Sequence, residues 1–330
     1  MTRALNSRAR MTRTRSTRAH MIGALSLATA LAPLSRVDAQ AICSAPHSSP
    51  TLAGGGRIGT LDPGTGWVML SALYQSSTSS FNTAGARQPF LADGRFRSSS
   101  LYLSAGLGVV RGVDVWTQVP AHAMHYEDQG GARGRSGIGD LRVALRVSPA
   151  IVGGSLPLAL RLGVKIPGSD FPIDATVIPL TEGQRDVEMS LESGHAFVES
   201  GVYLLGWSGY RWRGSNRAAD RTPGNEFFAH AAMGRTFGSL RLELGADVLA
   251  GTAPRQLGLL VPSARRRMFQ LAPTVSRATG PGYLEFTSVV PVVGRNLPSG
   301  LGFSSGYRVE WGRRAPSAPR AKGFERPSPS

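Results

Sequence analysis

Between residues 137 and 194 apolar and polar positions alternate almost strand by strand. Leu141, Val143, Leu145 and Val147 fall on one face of a strand, and Asp140, Arg142, Ala144 and Arg146 on the other. A turn cluster at 149–154 follows. Then Leu156, Leu158, Leu160, Leu162, Val164 and Ile166 alternate with Ala159, Arg161, Gly163 and Lys165. After a long loop, Val187, Met189 and Leu191 alternate with Asp186, Glu188, Ser190 and Glu192. Successive side chains on a strand point to opposite faces, so each segment reads as a strand with one apolar and one charged face. A soluble sandwich would turn the apolar face to a core. Here that face is uniformly apolar while the other carries full charges of both signs, the pattern of a membrane barrel with a wet lumen.

The same pattern predicts strands at 67–76, 96–107, 113–126, 199–213, 225–237, 239–251, 267–277, 283–293 and 300–311. That makes twelve strands of roughly ten residues, the length a tilted membrane strand needs. The expected fold is all-β: an antiparallel transmembrane β-barrel of about 12 strands, with short periplasmic turns and long external loops. Connections after the even strands are tight, and those after the odd ones are longer, including a polar, Gly-rich exit loop at 127–136. Pro273 and Pro291 each remove a ladder donor and mark the weakest strands. Aromatics near strand ends (Trp67, Tyr126, Tyr203, Trp207, Trp212, Phe227, Phe228, Tyr283, Phe303 and Trp311) are expected to form interfacial girdles. The last strand closes on Tyr307-Arg308-Val309-Glu310-Trp311, which looks like the signal read by barrel-assembly machinery, although a tail follows it here.

The ends change the meaning of the charge. The chain of 330 residues carries +16, but residues 1–20 hold six arginines and no acid and precede an apolar run at 21–34. With Val37-Asp38-Ala39 as a cleavage context, this reads as a secretory signal peptide over 1–39, a mitochondrial transit peptide being the competing reading. The remaining organisation is then an N-terminal periplasmic linker at 40–64, the barrel at 65–311 and a disordered basic tail at 312–330. The implied location is the outer membrane of a Gram-negative bacterium. Residues 40–311 carry only +6, too mild and too scattered for nucleic acid. The Arg265-Arg266-Arg267 run reads as a solvated strand end or a contact with anionic lipid headgroups. Cys43 is the single cysteine, so no internal disulfide and no thiolate cluster can form. No apolar stretch reaches the roughly 18 residues a spanning helix requires, so a membrane form must be a closed barrel.

Several short motifs, Ser136-Gly-Ile-Gly-Asp-Leu-Arg142, Lys165-Ile-Pro-Gly-Ser-Asp170, Gly183-Gln184 with the acidic strand to Gly194, and Gly209-Tyr210-Arg211, together resemble a known family. It comprises the exported proteins assigned to the meta-pathway of phenol degradation. The resemblance runs over roughly 65–311 and implies an outer-membrane transporter or channel for aromatic or other small hydrophobic compounds.

With the apolar faces on lipid, the lumen receives Asp114, Arg142, Arg146, Arg161, Lys165, Asp186, Glu188, Glu192, Arg241 and Glu243. Gln118, Asp247, Glu285, Arg308 and Glu310 share that face. Two readings stay open. Basic strands four and five facing acidic strand six could set a transverse field across a pore. Alternatively, Arg161 and Lys165 pair with Glu188 and Glu192 and close the lumen. The loop 167–181 carries Phe171, Ile173, Val177 and Ile178, a surface that could line the outer mouth and receive hydrophobic solutes. The expected function is passive uptake of small hydrophobic or aromatic compounds, without enzymatic chemistry. A sealed structural or surface barrel is the first alternative and an outer-membrane lipid hydrolase the second. The last would need a Ser nucleophile with a His base, and no His-x-Ser context occurs around His122, His125, His195 or His230. No cofactor or metal is expected. Expected partners are the solutes, outer-membrane lipid and lipopolysaccharide, and the assembly machinery.

Overall fold

The computed structural model describes residues 52–53, 57–154, 156–168, 180–197 and 199–312. The expected signal peptide, most of the linker, the mouth-loop residues Phe171, Ile173, Val177 and Ile178, and the tail beyond 312 lie outside the described residues.

Twelve long strands follow in chain order: β1 (Gly66–Ser77), β2 (Arg95–Val110), β3 (Val113–Asp128) and β4, which has two segments, Gly131–Ile138 and Leu141–Val147. Then come β5 (Leu158–Ile166), β6 (Asp186–Phe197), β7 (Val202–Arg213) and β8 (Glu226–Phe237). The last four are β9 (Leu240–Gly251), β10 (Arg267–Thr279), β11 (Gly282–Arg295) and β12 (Gly302–Trp311). Each pairs antiparallel with its chain neighbours, and β12 pairs with β1 from Gly302↔Gln75 to Trp311↔Gly66. The ring is closed. Closure pairs the barrel strands edge to edge, which is the condition for a sheet in lipid, and among the described residues the Gly131–Ile138 segment pairs with β3 alone.

Period-two alternation assigns every side chain. Leu70, Leu103, Leu145, Leu162, Leu191, Leu244 and Phe303 are among the large apolar residues left exposed on the outside, and such positions recur on strand after strand. A soluble monomer leaves a few hundred Å² of contiguous apolar surface bare, not a belt around a barrel. The opposite parity turns inward: Glu192, Asp114, Gln118, Asp186, Lys165 and Arg308 are buried. Register is fixed by this arrangement, since a one-residue slip would put every one of these charges on the belt.

All twelve expected strands are present. The connection after β3 differs from expectation: 127–136 is not a loop, because β3 and β4 continue as a hairpin that turns only at 129–130. Both faces of that extension are exposed or polar, so no hydrophobic period announces it, and backbone pairing carries it with Arg133 stacked 5.4 Å from the Tyr126 ring. The connection 252–266 also holds strand, Arg255–Gln256 against Leu259–Leu260, joined to Arg221–Thr222. The two prolines act as expected. Between β10 and β11 the register shifts at Phe269/Gln270, and no pairing joins Ala272 and Pro273 to Ser288 and Val289.

The aromatic girdle needs correcting. Trp212, Phe227, Phe303 and Trp311 do face outward and are exposed, but Trp67, Tyr203 and Trp207 are buried in the lumen. Their strand parity is that of the inward-facing residues, and parity, not distance from a strand end, decides the face.

Candidate functional site

The barrel lumen is where the chemistry-bearing side chains meet. The N-terminal segment enters it first. Arg57 pairs with His195 at the end of β6, where β5 has already stopped. The chain then crosses the inner rim: Arg146 donates to the Gly59 carbonyl at 2.8 Å, Thr60 Oγ1 meets Ser148 Oγ at 3.2 Å, and Leu61 N donates to Asp114 at 2.8 Å. Leu61 packs on Trp67, Met69, Trp116 and Ala144. The passage is close enough to require Gly108, where a Cβ would fall 2.0 Å from the Asp62 carbonyl oxygen.

Two ion-pair clusters fill one half of the lumen. At the end near the short turns, Arg146 lies 3.7 Å from Asp114 and 3.2 Å from Glu192, and Arg161 also pairs with Glu192. At the end near the long loops, Lys165 bridges Asp186 at 2.9 Å and Asp140 at 3.1 Å and also pairs with Glu182. Arg213 holds Glu182, Asp186 at 3.5 Å and Glu226 at 3.1 Å. Arg211 joins Glu188 at 3.1 Å to Glu226 at 3.2 Å, and Arg266 reaches Glu226 at 2.5 Å. Burial of this kind is tolerated only because each charge is matched. Glu182 lies in the loop before β6. Burial alone would raise its pKa, but Arg213, Lys165 and Arg266 around it outweigh that and hold it well below the ordinary carboxylate range.

The pairing differs from the simple ladder expected. Arg161 does reach Glu192, but Lys165 takes Asp186, its register partner, while Glu188 takes Arg211, its register partner on β7. Arg211, Arg213 and Glu226 were missed as site residues although they share the inward parity of Trp207 and His230. Glu182 and Arg266 sit in loops and had no periodic signal. Arg142 lies on the lumen row between Gln118 and Lys165.

The other half is different. β1 and β2 present Ser71, Gln75, Ser98, Ser100, Tyr102 and Ser104, all buried and neutral. Ser100 Oγ contacts His122 Nδ1 at 2.8 Å, with Tyr102 edge-on to the imidazole, inside the barrel rather than on its outer wall. On β9–β11, Arg241, Glu243, Thr274, Tyr283, Glu285 and Thr287 are only partly buried. Arg241 lies 5.5 Å from the Tyr203 ring and 5.7 Å from the Tyr283 ring. Among the described residues no carboxylate lies within ion-pairing distance of it. Tyr203 spends its hydroxyl on Glu243 at 2.6 Å, and Arg308 is occupied by Glu310 at 3.3 Å and Glu285 at 3.7 Å. Near the middle of the lumen, Trp207 stacks on His230 at 4.0 Å, and His230 meets Asp247 at 2.7 Å.

No protein-family model matches the chain, and no curated protein matches it either. Among solved structures, an outer membrane channel from Pseudomonas putida F1 superposes with a TM-score of 0.62 at 14% identity, covering 78% of this chain and 98% of that one. The CymD monoaromatic hydrocarbon channel scores 0.42 at 9% identity, covering 77% and 90%. The TodX deltaS2S3 mutant monoaromatic hydrocarbon channel scores 0.40 at 9%, covering 76% and 91%. At 14% identity, what the first shares with this chain is its fold. The other two scores are too low to support a detailed comparison.

Proposed function

We propose that this chain is an outer-membrane channel through which small hydrophobic or aromatic compounds diffuse inward. The observation that carries the reading is the division of the lumen into two unlike walls inside an apolar belt. One wall, from β3 to β8, is crossed by two clusters of mutual ion pairs, which Arg142 does not join. The other, from β9 to β11, keeps polar and aromatic groups open to the lumen, with Arg241 between two tyrosine rings and no carboxylate in ion-pairing range among the described residues. A cation flanked by aromatic faces suits an aromatic solute that carries a polar or anionic substituent, because ring stacking and charge act together. The resemblance to the phenol meta-pathway proteins points to the same solute class. Passage of this kind needs no catalytic group. Selectivity would come from the lumen charges and the apolar loop at 167–181.

A second reading, a sealed barrel with a structural or surface role, is favoured by one specific feature. The segment 59–61 is bonded across the inner mouth to Asp114 and Arg146, the same groups that complete one ion-pair cluster. Uptake separates the two. Cells carrying the protein should accumulate labelled benzoate faster than cells lacking it, and Arg241→Gln should remove the difference while leaving the amount of heat-modifiable folded band unchanged. Equal accumulation with and without the protein favours the sealed barrel.

A further inference from the structure

We infer that Arg265, Arg267 and Arg295 form a docking site on the outer wall for a phosphate-bearing lipid of the outer leaflet. The inference rests on the reading of this chain as a membrane barrel and adds the identity of one lipid contact. Arg266 turns inward to Glu226 at 2.5 Å, while Arg267, at the start of the strand, and Arg265, in the connection just before it, are both exposed. Arg267 at the start of β10 is the direct cross-strand partner of Arg295 at the end of β11, and both are exposed. Like charges placed directly opposite each other on a sheet repel. Asn296 Nδ2 donates to the carbonyls of Ser263 at 2.7 Å and Arg265 at 2.6 Å, so the loop bearing Arg265 is pinned beside the end of β11.

Three other arginines on the same rim have carboxylates to meet, whereas Arg87 and Arg255 donate to the backbone carbonyls of Pro291 and Gly258. Arg97 pairs with Glu127 at 2.7 Å and Arg95 with the same group at 3.9 Å, while Arg133 pairs with Asp128 at 3.6 Å. Arg265, Arg267 and Arg295 have none among the described residues. The next outward row toward the barrel centre is Val248, Phe269 and Val293, all apolar. A cationic row directly above an apolar one matches a phosphate headgroup above acyl chains. A free phosphate or an acidic protein would make no use of the apolar row. Phosphate oxygens accept from several guanidinium groups at once, which is how a single group can relieve the Arg267–Arg295 repulsion.

The test uses the full protein in neutral detergent. Retention of bis-phosphorylated lipid A is compared with that of the same lipid after dephosphorylation, by native mass spectrometry. Each basic residue close to an anionic lipid surface contributes roughly a factor of five, so Arg265→Gln/Arg267→Gln/Arg295→Gln should weaken lipid A retention roughly a hundredfold. The control Arg111→Gln/Arg277→Gln removes charge at the opposite end and should leave retention unchanged. Equal retention of both lipids, or of lipid A by wild type and the triple variant, overturns the site. Competition by inorganic phosphate at matched concentration also overturns it, in favour of a free-anion site. Reconstitution into phosphatidylcholine vesicles keeps the two claims apart. If wild type and triple variant alike stay out of the bilayer, the barrel reading falls and the site with it. If both insert while lipid A is not discriminated, only the site falls.

Discussion

Arg146 on β4 and Glu192 on β6 are joined at 3.2 Å although β5 lies between their strands. The pair can form because Ala159, the β5 residue in register with Glu192, puts only a methyl group into the space and is completely buried. Arg161 closes on the same carboxylate from β5 itself. Three consecutive strands are thereby tied through one anion on the inside of the barrel, in addition to the backbone ladder on the wall.

Glu192→Gln should therefore cost far more than a surface change. It would leave Arg146 and Arg161, which are cross-strand partners, buried without this carboxylate. Removing one member of a buried ion pair costs about 3–5 kcal/mol. The expected result is a marked drop in the temperature at which the folded, unboiled band converts to the unfolded mobility. Conversion at the wild-type temperature would mean that water already screens these charges.

Gly108→Val should dislodge the N-terminal segment without touching a lumen charge. Its Cβ would sit 2.0 Å from the Asp62 carbonyl oxygen, and backbone cannot yield that distance cheaply. The Asp114 and Arg146 contacts to Leu61 and Gly59 then break, and the inner mouth widens. Larger single-channel conductance, with faster proteolysis in the 57–65 segment, is the expected outcome.

Acid should loosen the outer cluster. Glu182 is held well below its ordinary value of 4.5 by Arg213, Lys165 and Arg266 against the cost of its burial. A depressed carboxylate contributes stability that is complete above its unfolded pKa and lost as the pH falls through its folded one. The contribution is thus intact at neutral pH and disappears only on acidification well below 4.5. Glu182→Gln should flatten that acid limb of the heat-conversion midpoint, measured against pH, while Glu127→Gln at the exposed rim should leave its shape unchanged.

The face rule can be checked by charge placement. Leu244→Arg points a cation at lipid from the middle of β9, which costs about 2–4 kcal/mol near the bilayer midplane. Thr287→Lys on β11 points into the lumen and should cost much less. Yields of heat-modifiable band from parallel refolding into lipid vesicles compare the two directly.

The barrel was legible in the sequence because each strand must solve the same two-solvent problem. Leu240, Leu242 and Leu244 against Arg241 and Glu243 declare both faces of β9 without help from the rest of the chain. Where both faces are wet, that signal vanishes, as in the hairpin around 129–130. The lumen residues were legible as a face but not as pairs. Register determines that Lys165 meets Asp186 and that Glu188 meets Arg211, and a strand read alone carries no register. Arg266 and Glu182 come from connections, where no period exists to place them. Trp207 was misplaced because its position near a strand end outweighed its parity.

Ion current through the reconstituted protein, with benzoate added, tests the central claim most directly. A channel whose open wall centres on Arg241 should conduct in a planar bilayer, more strongly as Gly108→Val. Benzoate should reduce the current in a saturable way that Arg241→Gln abolishes. If neither wild type nor Gly108→Val conducts, while the heat-modifiable band shows that both are folded in the bilayer, the lumen is sealed and the channel account is wrong.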